Sequence, residues 1–253
     1  MDTLEKLEKR KQDARASYMT ASRIRKQKTS RETWEPVTDW HSRGYLPHCD
    51  EAGLIHNVTF RLADSVPVKT IAEWRDELKI TPGLAAYDSR NIELRRRIDE
   101  YEDAGHGDCL LKHPQIAELV QSAILFFDGE RYRLLQWCIM PNHVHTLVMP
   151  INGHLLANIV HSWKSYTGHA VKKLFNLKKP FWMVEYHDRF IRNERHLETV
   201  REYIHQNPVS AGLVRNKEDW PWSSVARHGS VGVDMGARAS SPARHGNVGV
   251  PPA

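Results

Sequence analysis

The chain has 253 residues, 40% of them hydrophobic and 26% charged, with a formal net charge of +5 before any of its 15 histidines is protonated. That apolar share excludes a wholly disordered chain, and the lack of any apolar run near the ~18–20 residues of a bilayer span argues against a membrane partner. The three scattered cysteines, Cys49, Cys109 and Cys138, contain no CxxC pair, which excludes a disulfide framework or zinc finger and fits a reducing, cytoplasmic setting.

Residues 1–44 read as a basic N-terminal arm. The start, MDTLEKLEKRKQDAR, has no signal-peptide core. The arm offers only Leu4, Leu7, Tyr18, Met19 and Ile24 for burial, so it is helical or disordered. Its basic knot, Arg23 to Lys28, is either a solvated tail or a nucleic-acid contact. Residues 45–225 form the folded domain, with regular structure expected from about Gly53. LIHNVTFRLAD, Leu54 to Asp64, alternates like a strand. VKTIAEWRDELK has helical spacing through Ile71, Trp74 and Leu78. A charged helix, NIELRRRIDEYEDAG, lies between Ser89 and Gly105, and an apolar one runs from Ile116 to Phe127 until Asp128-Gly129 ends it. RYRLLQWCIM then reads as a strand, Pro141-Asn142 as a tight turn, and HVHTLVM as the antiparallel return.

An amphipathic helix follows over His154 to Leu174, buried through Leu156, Ile159, Val160, Trp163 and Val171. FWMVEYHDRFIR is strand-like. ERHLETVREYIHQ is a helix expected to stop at Asn207-Pro208, where proline removes a donor and restricts the residue before it. Residues 226–253 are a low-complexity tail expected to be disordered, holding the near-copies ARHGSVGV and ARHGNVGV. The element order, with its one clear hairpin, predicts an α+β domain with helices packed on an antiparallel sheet.

Two features carry chemistry. His143 and His145 are two apart on a strand, so they project to one face while Val144, Thr146 and Val148 face the other way. Together they make a two-point metal clamp. Zinc needs further His, Cys or acidic ligands, for which His161, His169, His187 and His205 are available, although none has the HExxH spacing. Mg²⁺ or Mn²⁺ fits better if a side-chain carbonyl and phosphate oxygens complete the site. Tyr203 and Asn207 stand four apart on the last helix, one above the other. They offer either an ordinary amphipathic face or a nucleophile beside a neutral oxygen ligand.

These residues resemble the REP-associated tyrosine transposases, relatives of the IS200/IS605 transposases in the wider His-hydrophobic-His endonuclease class. The resemblance runs from about Tyr45 to Ser224 through RGYLPHCD, VTFRLADS, MPNHVH, WKSYT, EYHDRFIR, YIHQNPVSAGLV and WPWSS. It implies a ferredoxin-like sheet with the histidines on a central strand and the tyrosine on a neighbouring helix. Residue by residue, it implies that His143, His145 and Asn207 bind the metal and that Tyr203 is the nucleophile. Met183 departs from the pattern, standing where relatives often carry glutamine. Tyr166, in WKSYT, is the rival nucleophile.

The activity implied is metal-dependent cleavage and rejoining of single-stranded or hairpin DNA through a 5′-phosphotyrosine, by a monomer or homodimer. Lys164, Arg189 and Arg192 are the candidate phosphate contacts, with Lys172, Lys173 and Arg195 behind them. Trp182 and Tyr186 are candidates for stacking on unpaired bases. Two other readings compete: a hairpin-DNA-binding protein without catalysis, and a zinc-dependent small-molecule hydrolase.

Overall fold

The computed structural model describes residues 40–42, 47–49, 53–81, 83–84 and 88–226. The basic knot at 23–28 and the near-duplicate tail motifs lie outside the described residues. A short antiparallel pair, β1 (Trp40–Ser42) and β2 (Pro47–Cys49), comes first and straddles the expected boundary at residue 44. The main sheet is built from β3 (His56–Leu62), β4 (Tyr132–Ile139), β5 (His143–Pro150) and β6 (Trp182–Phe190). Its order is β4-β5-β3-β6, with every pairing antiparallel.

Among the described residues five α-helices accompany the sheet: α1 (Val68–Glu77), α2 (Ser89–Asp103), α3 (Pro114–Phe126), α4 (Leu156–Phe175) and α5 (Glu194–Ser210). Setting α1 and α2 aside, the chain runs β3-α3-β4-β5-α4-β6. With the first strand between the third and the fourth, this is the ferredoxin-like order that the resemblance implies.

Alternation along the strands sends two sets of side chains to two cores. Val58, Phe60, Val144 and Val148 meet Ile116, Val120, Ile124, Ile159, Val160 and Trp163 from α3 and α4. On the other face, Leu147 and Met149 meet Leu197, Val200 and Ile204 from α5. Each fully buried aliphatic side chain contributes roughly 1.5–3 kcal/mol. Because both faces of β5 are covered, all eight of its residues are buried. A bulge between Leu134 and Gln136 rephases β4, so that Trp137 and Ile139 join the first core and Cys138 the second.

Helices α1 and α2 form an insert between β3 and α3 with a small core of its own, Val66, Ile71, Leu94 and Ile98. Asp88 starts α2 by accepting from the Arg90 backbone N–H at 2.9 Å. At the sheet's far edge, WPWSS is tied to β4 through Ile139 N–H to the Trp222 carbonyl, 2.8 Å, and Ser224 N–H to the Trp137 carbonyl, 3.0 Å.

The last helix departs from expectation. It runs through Pro208 to Ser210 rather than ending at Asn207. Proline removes a single donor here, in the final turn, and the end is closed by other bonds. Leu213 N–H reaches the Pro208 carbonyl at 2.9 Å, and Gly212 N–H reaches that of Val209 at 2.9 Å. Gly212 supplies the left-handed residue, φ +67, that this closure requires.

Candidate metal and tyrosine site

Strand β5 delivers His143 and His145 to the face covered by α5 and by the end of α2. Each is 1% exposed. Their Nε2 atoms lie 2.8 Å apart. Two nitrogens bound at right angles to one ion at about 2.1 Å would lie about 3 Å apart, so this convergence suits a shared cation. Burial is what holds both rings neutral. It is the sole cause for His145, taken down to about 3, and the largest for His143, which the neighbouring His145 and Arg61 lower further. Neutral imidazole is the form that binds metal.

The outer nitrogens are held from behind. His143 Nδ1 is 2.8 Å from Asn142 Oδ1, and His145 Nδ1 is 3.0 Å from the Thr59 hydroxyl on β3. Such contacts orient metal-binding rings.

Two further groups approach the Nε2 pair. Asp103, the last residue of α2, has Oδ1 3.5 Å from His143 Nε2. With the two histidines it forms a group whose ligand atoms all lie within 4.8 Å of one another. Asn207, one turn beyond Tyr203 on α5, is 2% exposed with Nδ2 3.0 Å from His145 Nε2. Asp103 Oδ1 and Asn207 Oδ1 are both buried without a hydrogen-bond partner among the described residues. Convergent neutral nitrogens and two orphaned oxygens fit a divalent cation with mixed nitrogen and oxygen ligands.

Tyr203 stands beside this group, its ring edge-on to His145 with centroids 5.4 Å apart and planes at 77°. The residue is 40% exposed. Burial of the hydroxyl, and after it the carboxylates of Asp99 and Asp103, push the phenol well above its usual value of 10, while the Asn207 side chain pulls it down. Burial likewise raises Asp103 to about 6, with Glu100 adding to the effect.

Asp103 is the member of this group that the sequence reading missed. It lies forty positions before His143, inside an insert that reads as a solvated charged helix. One signal was available: α2 has no basic residue in its last turn and ends in Glu100, Glu102 and Asp103. Negative charge is disfavoured at a helix C-terminus.

The proposed DNA contacts separate into two sets. Trp182 and Tyr186 are 7% and 8% exposed and belong to the core beneath α3 and α4, across the sheet from the histidines. Trp182 packs edge-on against Phe60 at 4.9 Å and donates its indole N–H to Thr167 at 2.8 Å. Neither ring has a face open to a base, which corrects the stacking expectation. Lys164 is on α4, its ammonium donating to the Val184 carbonyl at 2.6 Å. Tyr166 is 60% exposed on the same helix, so the rival tyrosine is on the sheet's other side.

Arg189 pairs in register with Asn57, on the histidine face. Burial and the like charge of Arg192 both lower its guanidinium. A small cleft lies between α2 and this part of the sheet, lined by Thr59, Arg61, Arg95, Asp99, Glu185 and His187 among others. Of the other histidines, His161 and His169 are exposed on α4, and His205 is bonded to Gln136 at 2.7 Å. Among the described residues, none of these three joins the pair.

Residues 113–207 match the family model described as "Transposase IS200 like". A putative REP-associated tyrosine transposase of Haemophilus influenzae is 31% identical over 100 residues, covering 36% of this chain and 57% of the relative. The REP-associated tyrosine transposase of Escherichia coli K12 is 25% identical over 114 residues, covering 44% of this chain and 65% of the relative. The chain thus spans less than two thirds of the length of either curated relative. A solved REP-associated tyrosine transposase bound to a REP hairpin is 19% identical, with a TM-score of 0.45 over 72% of this chain and 81% of that one. The family match and the two curated relatives bear out the resemblance drawn from MPNHVH and YIHQNP, and Asp103 lies upstream of the segment that the family model matches.

Proposed function

We propose that this chain, which resembles the REP-associated tyrosine transposases, is a tyrosine transposase-like enzyme that cuts and rejoins single-stranded or hairpin DNA. One observation carries the reading: a cluster of the buried His143 and His145 with the half-buried Asp103 has the ring of Tyr203 against one of its imidazoles. His143, His145 and Asp103 would hold Mg²⁺ or Mn²⁺, with Asn207 supplying a neutral oxygen. A bound divalent ion supplies positive charge against a phosphate's non-bridging oxygens and opposes the carboxylates that hold the phenol protonated.

Tyr203 is the nucleophile. Its oxygen bonds to phosphorus as the bond from phosphorus to the 3′-oxygen breaks, leaving a 5′-phosphotyrosine and a free 3′-hydroxyl. The proton lost by the phenol is balanced by the one gained at the 3′-oxygen. Because the phosphotyrosine bond is itself a phosphodiester, attack by a different 3′-hydroxyl reverses the step and joins strands without a nucleotide cofactor. Arg189, on the histidine side of the sheet, and Arg192, whose like charge acts on it, are the phosphate contacts this geometry favours. Lys164 comes from α4, across the sheet, and with its ammonium held by the Val184 carbonyl is the weaker candidate.

The test mixes labelled single-stranded hairpins with the protein and Mn²⁺ and looks for a denaturation-resistant adduct. Tyr203→Phe is expected to abolish the adduct, and Tyr166→Phe to leave it within about twofold of the parent. A reversed result would make Tyr166 the nucleophile. Hairpin binding without an adduct in the unaltered protein would leave only the DNA-binding function. Stoichiometric tight zinc with no adduct would point to the hydrolase.

A further inference from the structure

The residue before the first histidine is neither a metal ligand nor the nucleophile of the proposed function. Asn142 is 0% exposed, in the turn between β4 and β5. Its side chain makes three hydrogen bonds. Nδ2 lies 3.0 Å from the Glu102 carbonyl and 3.0 Å from that of His106, both at the end of the insert. Oδ1 lies 2.8 Å from His143 Nδ1.

This pattern permits a single arrangement of protons. Two carbonyl oxygens can only accept, so the amide nitrogen must face them. Turning the amide over would set Oδ1 against both carbonyls, three acceptors with no proton between them. Oδ1 therefore faces His143 Nδ1, and being an acceptor it requires that nitrogen to carry the hydrogen. In a neutral imidazole the other nitrogen is then bare. His143 Nε2 is left with its lone pair directed to the side where His145 Nε2 and Asp103 converge. His145 differs: the Thr59 hydroxyl at its Nδ1 can donate or accept, and the Asn207 amide 3.0 Å from its Nε2 can turn either end toward it, so neither contact selects a tautomer.

We propose that Asn142 is a positioning residue that locks His143 in its Nδ1-protonated tautomer, and that the chain from Glu102 to His106 sets the lock. The insert thus acts on the site twice, through the Asp103 carboxylate and through Asn142. It is fastened to the same turn by Leu111 N–H to the Pro141 carbonyl, 3.1 Å. The consequence for metal binding rests on the function proposed above, whereas the tautomer itself does not.

The experiment is nitrogen-15 NMR of the histidine side chains in metal-free protein, with Mn²⁺ affinity measured alongside. In the unaltered protein His143 is expected to show a pyrrole-type Nδ1 and a pyridine-type Nε2. Asn142→Asp keeps an acceptor for Nδ1–H and, with a proton on the oxygen that replaces Nδ2 donated to one of the two carbonyls, is expected to keep the tautomer. Asn142→Leu removes the acceptor, and is expected to populate the Nε2-protonated form and weaken Mn²⁺ binding roughly 10–100-fold. A pyrrole-type Nε2 in the unaltered protein overturns the proposal even if neither variant folds. So does Asn142→Leu with an unchanged spectrum, or with a changed spectrum and unchanged Mn²⁺ affinity. If the lock is seen but the unaltered protein binds no Mn²⁺, the metal reading fails and the positioning role falls with it, while the tautomer assignment stands.

Discussion

Lys164 shows how partial burial changes what a side chain can do. Its ammonium lies against the Val184 carbonyl at 2.6 Å, and burial pushes it from an ordinary 10.5 down to about 8, with Glu185 partly opposing and the like charge of Arg61 adding to the effect. A folded-state value below the unfolded one means that the unfolded chain binds more protons between these limits. Stability should therefore rise as pH climbs from about 8 to 10.5, and the cost of the buried charge should be fully present below 8. Lys164→Met is expected to flatten that rise and to be more stable than the parent at pH 7. Urea titrations of both proteins at pH 7, 9 and 10.5 check this through the difference between them. A parent and variant with parallel pH profiles would refute it. The same burial argument makes His143 and His145 neutral nitrogen donors and makes Trp182 a core residue.

Among the elements, the insert is the one whose local details bear on the site. After α2 the chain turns through Gly105 and Gly107 and brings the Glu102 and His106 carbonyls to Asn142. Gly107 has φ +87, and a Cβ added there would lie 2.7 Å from the backbone oxygen of Asp64. Both the dihedral and the contact exclude a side chain. Gly107→Ala is expected to destabilise the protein by about 2 kcal/mol, in the range of strain from an enlarged, well-packed position. It should also lower Mn²⁺ affinity, because the displaced backbone carries the His106 carbonyl. Chemical denaturation and metal titration together check it, and a loss of stability with full metal affinity would separate the turn from the site. Gly212→Ala, where a Cβ would meet nothing within 4 Å, lacks this second consequence.

At the scale of the molecule, the sheet divides two tasks. One face packs Phe60, Tyr132, Trp163 and Trp182 beneath α3 and α4, and the other presents His143, His145 and Thr59 to α5 and the insert. Trp163 is 2% exposed, and its indole N–H meets the Tyr132 hydroxyl at 2.9 Å. Trp163→Ala is expected to cost about 3–5 kcal/mol from the cavity it opens. Mn²⁺ affinity of the protein that remains folded should nevertheless change by less than about threefold, since β5 lies between the cavity and the ligands. Denaturation curves read beside metal titrations at low temperature test this division. A large loss of affinity in folded Trp163→Ala would show that the two faces are coupled.

The amino-acid pattern by itself determined the elements and their main pairing. Alternation and turn chemistry around Pro141-Asn142 set the β4–β5 hairpin, and 3.6-residue spacing set the helices, because both periods follow from local backbone geometry. The same two-residue period put His143 and His145 on one face, and the four-residue step stacked Tyr203 on Asn207. Only the tertiary structure decided what those faces meet. That the insert brings Asp103 and the Asn142 anchors to the histidines depends on a contact between residues some forty apart, which no local period encodes. That Trp182 and Tyr186 face the core while Arg189 faces the site depends on the phase of β6 against β3, including a register shift between Phe60 and Leu62. A one-residue change of phase moves a side chain to the opposite face of a sheet, so an aromatic that reads as a DNA contact in sequence becomes part of a core in space.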